Sequence, residues 1–278
     1  MTKVSLSAYS LLLLSLLVAK IALAHEFWIE PASFRPAMGT ELSIRLWVGD
    51  AFVGLPYRRN PPHIRDFYLV GPTATKPVIG LPGSDPAGTV QIDAAGLQIV
   101  GYRSAQTITV LEANRFGAYL KEEEFTQVLR KRALNGQENQ PGREAFARYA
   151  KSMLLVGGDI GQGYDLALGF ELEFIPQVNP YSLRLGDSLP LRILYRGKPL
   201  GNARVVAFNA GNPAEQFITY SDADGRLSFT LHRQGVWLFR SVHIKAAPII
   251  HEKADWVSFW ASLTFELPFS ATPLETSD

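Results

Sequence analysis

Near the C-terminus, residues 255–267 alternate without a break. Val257, Phe259, Ala261, Leu263, Phe265 and Leu267 fall on one side, and Trp256, Ser258, Trp260, Ser262, Thr264 and Glu266 on the other. A period of two is a β-strand, because apolar positions on one helix face recur every three or four residues. The first row is core. The second row, with its two tryptophans, is either covered by another layer or lines a site, and packing is the favoured reading. The same alternation puts Leu42, Ile44, Leu46 and Val48 opposite Glu41, Ser43, Arg45 and Trp47, and recurs at Phe170, Leu172 and Phe174 and at Leu189, Leu191, Ile193 and Tyr195. Further short strands are expected at 66–70, 89–92, 97–103 and 106–112. Asp222-Ala223-Asp224-Gly225-Arg226 marks a hairpin, since Asp-Gly suits the positive-φ positions of a tight turn. Closely spaced strands with Gly and Pro between them predict a mainly β chain of sandwich type.

Between the two β-rich stretches the pattern changes. Residues 119–134 hold Phe125, Val128 and Leu129 at helical spacing without Gly or Pro. After Asn139-Gln140-Pro141-Gly142, the spacing of Phe146, Tyr149, Ala150 and Met153 predicts a second helix over 143–155. Gly157-Gly158-Asp159-Ile160-Gly161-Gln162-Gly163 lacks the Lys-Ser/Thr of a phosphate loop and reads as a linker. The expected organisation is a signal peptide at 1–24, an N-terminal β-sandwich unit at 25–114 and a helical hairpin at 115–156. A glycine-rich linker at 157–167, a C-terminal β-sandwich domain at 168–268 and a tail at 269–278 follow. Residues 168–267 are expected to fold autonomously.

The first residues carry an address rather than a fold. Met1-Thr2-Lys3 is basic, Leu11 to Leu14 lie in an apolar run, and Ala22 and Ala24 suit signal-peptidase cleavage. His25 would then lead the mature chain, with an α-amine and an imidazole that can chelate one metal ion. Periplasmic export follows as the expectation, with no membrane anchor, because no second apolar run of about 18 residues appears. The sequence has no cysteine, so neither disulfides, nor thiolate metal sites, nor cysteine catalysis is available. Lys and Arg number 27 against 26 Asp and Glu, and so even a balance excludes nucleic acid as a partner.

With both β-rich stretches in view, the chain resembles a family of bacterial periplasmic proteins, domain-of-unknown-function family 4198. The resemblance rests on His25-Glu26-Phe27-Trp28-Ile29-Glu30-Pro31, Pro180-Tyr181, Leu185-Gly186-Asp187, Arg196-Gly197-Lys198-Pro199-Leu200, Asp222-Ala223-Asp224-Gly225-Arg226, Gly235-Val236-Trp237 and Asp255-Trp256 through Phe265. It implies immunoglobulin- or transthyretin-like sandwiches and an accessory role in nickel or cobalt uptake, with delivery of the ion or a small chelate of it to a membrane metal transporter.

Of the five histidines, His25 is the leading candidate ligand and His243, on a strand face with Trp237 and Phe239, the second. His251 and His63 lie in loops and complete the candidate metal set. Imidazole and amine nitrogens suit nickel, cobalt, copper and zinc alike, so only the resemblance favours nickel or cobalt. No nucleophile constellation stands out, and Arg58-Arg59 is a loop pair that can hold an anion. Two rival readings remain: a copper-dependent oxidative enzyme built on His25, and a metal-free interaction protein using Trp256 and Trp260.

Overall fold

The alternating run near the C-terminus is the strand Trp256–Leu267, and it lies in the interior of a nine-stranded sheet. The computed structural model describes residues 26–158, 161–248 and 253–268; the signal peptide, His25, His251 and the tail lie outside them. In chain order the first strands are β1 (Glu26–Pro31), β2 (Glu41–Asp50), β3 (Val53–Pro56), β4 (Ile64–Val70), β5 (Thr75–Pro77), β6 (Gly88–Gln91), β7 (Gly96–Ser104) and β8 (Thr107–Leu111). Helices α1 (Ala113–Glu122) and α2 (Thr126–Leu134) precede β9 (Gly142–Val156). Then come β10 (Leu172–Pro176), β11 (Ser188–Tyr195), β12 (Lys198–Pro199), β13 (Arg204–Asn209), β14 (Phe217–Tyr220), β15 (Arg226–Thr230), β16 (Gly235–Ala246) and β17 (Trp256–Leu267).

The central sheet runs β14-β13-β16-β17-β9-β7-β4-β5, with β8 also paired to β9. One face meets the sheet β10-β11-β12 with β15. Met153, Leu155, Phe239, Leu263 and Phe265 pack there against Leu172, Phe174, Leu191 and Phe229. The opposite face is covered twice. Over its β9-β7-β4 half lies the sheet β1-β2-β3 with β6, where Ile29, Ile44 and Leu46 meet Val100, Leu154 and Val156. The two helices cover another part, with Phe116, Tyr119 and Leu120 against Ile244 and Trp256. Strand β1 presents alternate side chains to two clusters: Phe27 and Ile29 to one, Trp28 to Val206, Phe208 and Leu238 in the other.

The mainly β sandwich expected from the alternation is what the chain forms, and the strands expected at 41–50, 66–70, 97–103 and 106–112 are present within a residue or two. The Asp-Gly hairpin is present too: Asp222 N–H donates to the Arg226 carbonyl at 2.8 Å, and Gly225 holds φ +73.

The second helix of the expected hairpin is not there. Residues 143–155 belong to β9, antiparallel to β7 and parallel to β17. With both faces buried, β9 carries apolar groups on each side and loses the alternation that marks a half-buried strand. Phe146, Tyr149, Ala150 and Met153 then fall at helical spacing by coincidence. The single helix expected over 119–134 is two, broken where Glu124 takes φ +59. Strand β9 also joins the two expected β units, since β4, β5 and β7 lie on one side of it and β13, β14, β16 and β17 on the other, all in one sheet.

Trp256 and Trp260 are packing residues, as favoured. Trp256 is buried under the helices, and Trp260 stacks on Tyr119 with centroids 5.8 Å apart. Trp256 is therefore closed to a docking partner, which corrects the rival reading that used it. A Cβ at Gly142 would lie 2.2 Å from the Phe116 ring, so only glycine admits α1 at that distance from β9.

Under α1 lies Glu144, buried, accepting a hydrogen bond from the Tyr119 hydroxyl at 3.2 Å. Burial pushes its carboxyl up from 4.5 to about 7, against the opposing hydrogen bonds from Ser258 and Tyr119. The folded protein thus keeps a proton that the unfolded chain releases near pH 4.5. The group favours folding below that pH, and the advantage is lost as pH rises through about 7, on the order of 3 kcal/mol in all. Glu144→Gln is expected to remove this loss, so its stability gain over wild type should grow between pH 5 and pH 8 in urea titrations. Parallel stability curves for the two proteins would count against a neutral Glu144.

Candidate functional site: a cationic pocket at the edge of the two sheets

On the face of the central sheet that meets β10 and β11, a pocket of about 360 Å³ opens. Its floor is apolar, from Ala147, Val257 and Phe259, and its walls carry Arg65, Arg103, Arg196 and Lys245. Each cation has a local reason for its place. Arg65 sits where the β4–β7 register slips between Ile64 and Asp66, and a bulge of this kind re-aims its side chain. Arg196 follows β11 in a turn with φ +51, and its backbone N–H is tied to the Glu171 carbonyl at 2.7 Å. The Arg196 guanidinium lies 5.5 Å from the Tyr195 ring and 6.0 Å from Phe259, while the Lys245 ammonium lies 5.6 Å from Tyr195.

The charges do not cancel. Arg103 is paired with Asp66 at 2.5 Å, but Arg65, Arg196 and Lys245 have no ion pair among the described residues. The lining carries one carboxylate, Glu171, whose Oε2 is buried without a hydrogen-bond partner. Tyr149 beside it is held protonated, raised by burial first and then by the Glu171 charge. The pocket therefore offers three cations without an ion pair among the described residues, and a phenol beside one carboxylate. That suits a ligand with several negative oxygens and at least one O–H or N–H group.

The candidate histidines are dispersed. His243 stands next to this pocket rather than in it, with its ring 4.5 Å from Tyr195 and 6.2 Å from Phe259. Burial and then Lys245 push its pKa down, so the ring is neutral, but the neighbouring ammonium opposes a metal cation. His63 lies on the other face of the sheet. Its Nδ1 is 2.9 Å from the Tyr57 hydroxyl and 3.1 Å from the Asn60 amide nitrogen. The amide can only donate, so Nδ1 is the accepting nitrogen here. A metal would have to take Nε2 and displace the Asn60 bond. His25 and His251 lie outside the described residues. Among the described residues no three of His, Asp or Glu are grouped to hold a metal. The Arg58-Arg59 pair is committed as well: Arg58 donates to the Gly83 carbonyl, and Arg59 to those of Val78 and Ala87.

Where β1 begins, Glu26 is fully buried between Arg240, which donates to Oε1 at 2.8 Å, and the Ala51 N–H, which donates to Oε2 at 2.6 Å. Arg240 also meets Glu123 at 2.6 Å. One guanidinium serves two carboxylates, and burial pushes Glu26 up to about 7 against the pull of Arg240. This network clamps β1 to β16 and to the break between the helices.

Sequence reading missed the pocket because its members are spread from residue 65 to residue 259. The one local signal was Arg196 at the head of a turn motif.

Stacked sheets sharing a central layer define a β-sandwich protein, with a ligand-sized cationic pocket at the edge of two of the sheets. The chain belongs to the family described as Domain of unknown function (DUF4198), whose model matches residues 22–245. No curated protein matched the chain. Among solved structures, the D0-D1 domain of intimin is similar at 12% identity, over 86% of this chain and 97% of that one, with a TM-score of 0.21. At that score it bears on neither the fold nor the site.

Proposed function

We propose that the protein is an exported periplasmic binding protein whose ligand is a small polycarboxylate, free or as an anionic chelate of nickel or cobalt, passed on to a membrane metal transporter. The observation that carries this reading is the pocket of Arg65, Arg196 and Lys245, with no neutralising carboxylate beyond Glu171 among the described residues. Three cations at close range repel a bare divalent ion and attract a chelate whose ligands leave it negative. The role in metal uptake comes from the family resemblance, and the pocket accounts for the form in which the metal would travel.

Calorimetry with citrate, nickel–citrate and free Ni²⁺ tests it. Citrate or its nickel complex should bind, more weakly as salt is raised. The pair Arg196→Ala and Lys245→Ala should weaken binding at least ~10-fold, about 1.4 kcal/mol. Tight binding of free Ni²⁺, lost in His25→Ala and untouched by the pocket pair, would overturn the reading and put the metal on the mature amino terminus. In that case affinity should fall below neutral pH, because the imidazole and α-amine, with reference pKa values of about 6.5 and about 7.7–8.0, must both be unprotonated.

A further inference from the structure

Residue 148 is the neighbour of Tyr149 in β9, so its side chain leaves the opposite face of the central sheet. Arg148 is caged there by aromatic rings, with its guanidinium carbon 5.1 Å from the centroid of Phe146, 5.4 Å from Phe27 and 5.7 Å from Tyr57. The cage is itself braced, since Phe27 meets Tyr57 edge-on at 5.5 Å and Tyr102 at 4.8 Å. In each contact the guanidinium carbon lies over an aromatic ring. A guanidinium carries five N–H donors in its plane.

Those donors have no acceptor among the described residues. Arg148 makes no ion pair and its guanidinium donates no hydrogen bond; the bond at this residue is from its backbone N–H to Ser104 Oγ at 2.9 Å. The buried cations among the described residues are matched, Lys151 by Glu173, Arg240 by Glu26 and Glu123, and Arg132 by the carbonyls of Gln137 and Gln140, whereas Arg148 is half-buried and has no such partner. Burial lowers the Arg148 pKa, and the groups that oppose the shift are two phenols, Tyr57 and Tyr102, with no carboxylate among them. A guanidinium partly withdrawn from water, with no acid beside it, is favoured by an anionic partner at its exposed edge. Its nitrogens are not among the sealed, unpartnered atoms of the structure, so the edge can be reached.

We infer that Arg148 is the anchor of a second binding site, one for a carboxylate on a flat apolar body, such as an aromatic acid. The carboxylate takes the N–H edge of the guanidinium as a two-pronged pair, and the body lies among the aromatic rings. The Tyr57 hydroxyl donates to His63 Nδ1 and gives the carboxylate no further proton, so the guanidinium edge is the anchor. This site is separate from the cationic pocket, because β9 lies between them.

Benzoate, acetate and inorganic phosphate are the probes, titrated into the mature protein by calorimetry and by NMR of the arginine Nε–Hε signals. Saturable benzoate binding that moves one Nε–Hε signal, lost in Arg148→Gln and at least ~10-fold weaker in Arg148→Lys, would support the site. Lysine keeps the charge but lacks the planar fork. The Arg196→Ala and Lys245→Ala pair should bind benzoate as wild type does. Should Arg148→Gln not fold, the Nε–Hε shift in wild type and the Arg148→Lys affinity decide alone. The inference is overturned if benzoate does not bind, if binding survives both Arg148 substitutions, or if phosphate and acetate bind as tightly as benzoate. Loss of benzoate binding in the Arg196/Lys245 pair instead would assign it to the first pocket and equally overturn a second site.

Discussion

Lys151→Met is expected to remove about 3–5 kcal/mol of stability, the loss that follows when one partner of a buried ion pair is deleted. Lys151 and Glu173 both have side chains only 2% exposed, with Nζ 2.9 Å from Oε1. The other ammonium donors reach the carbonyls of Leu166 at 2.9 Å and Phe174 at 3.1 Å. Glu173 in turn accepts the backbone N–H groups of Leu168, Gly169 and Phe170. Removing the ammonium leaves a carboxylate sealed between β9 and β10 with only those three donors, and leaves two buried carbonyls without their partner. Pairing Lys151→Met with Glu173→Leu is not expected to restore wild-type stability, because the double variant strands the three N–H groups instead. Guanidinium titrations at fixed pH measure both. A loss below about 1 kcal/mol for Lys151→Met would show that the pair is dispensable and that apolar packing alone holds this seam.

The second large effect concerns the division of the chain. An isolated fragment of residues 168–268 is expected not to fold cooperatively, in contrast to the autonomy that the spacing of its strands suggested. Its strand β17 pairs with β9 from Trp256↔Glu144 to Thr264↔Ser152. Without β9 that whole edge is bare, inviting intermolecular pairing. The core facing β10 and β11 also loses Ala147, Tyr149, Met153 and Leu155, and Glu173 loses Lys151. A fragment of residues 142–268, which restores β9, should be the more ordered of the two. Circular dichroism and amide dispersion in NMR read the outcome. A sharp, reversible melt and dispersed amides for 168–268 would show that the C-terminal half is self-sufficient and that β9 is an accessory to it.

What the sequence determined by itself was the part of the fold in which each residue has one wet side and one dry side. Strands β2 and β11 announce themselves because alternate residues face different surroundings, and β17, covered on both faces, alternates only because its second face is filled with Trp, Ser and Thr. Asp-Gly at 224–225 announces its turn because few residues tolerate φ +73. The tertiary structure decided everything that depends on a neighbour distant in the chain. Strand β9 reads as a helix because it is covered on both faces, and two-sided burial erases the alternation. For the same reason the boundary between the halves was drawn where the glycines are, although the sheet runs through it. The functional groups follow this pattern. Nothing in residues 60–70 tells that Arg65 will be turned by a register slip toward Arg196 and Lys245. Nor does the sequence around Arg148 tell that no acid will reach it. His243 and His63, the second candidate and a weaker one in the sequence, end on opposite faces, the first beside a lysine and the second bonded to Tyr57 and Asn60. Local pattern records how a residue is solvated, whereas a binding site records which charges the folded sheets bring together, and that second quantity exists only once the strands are paired.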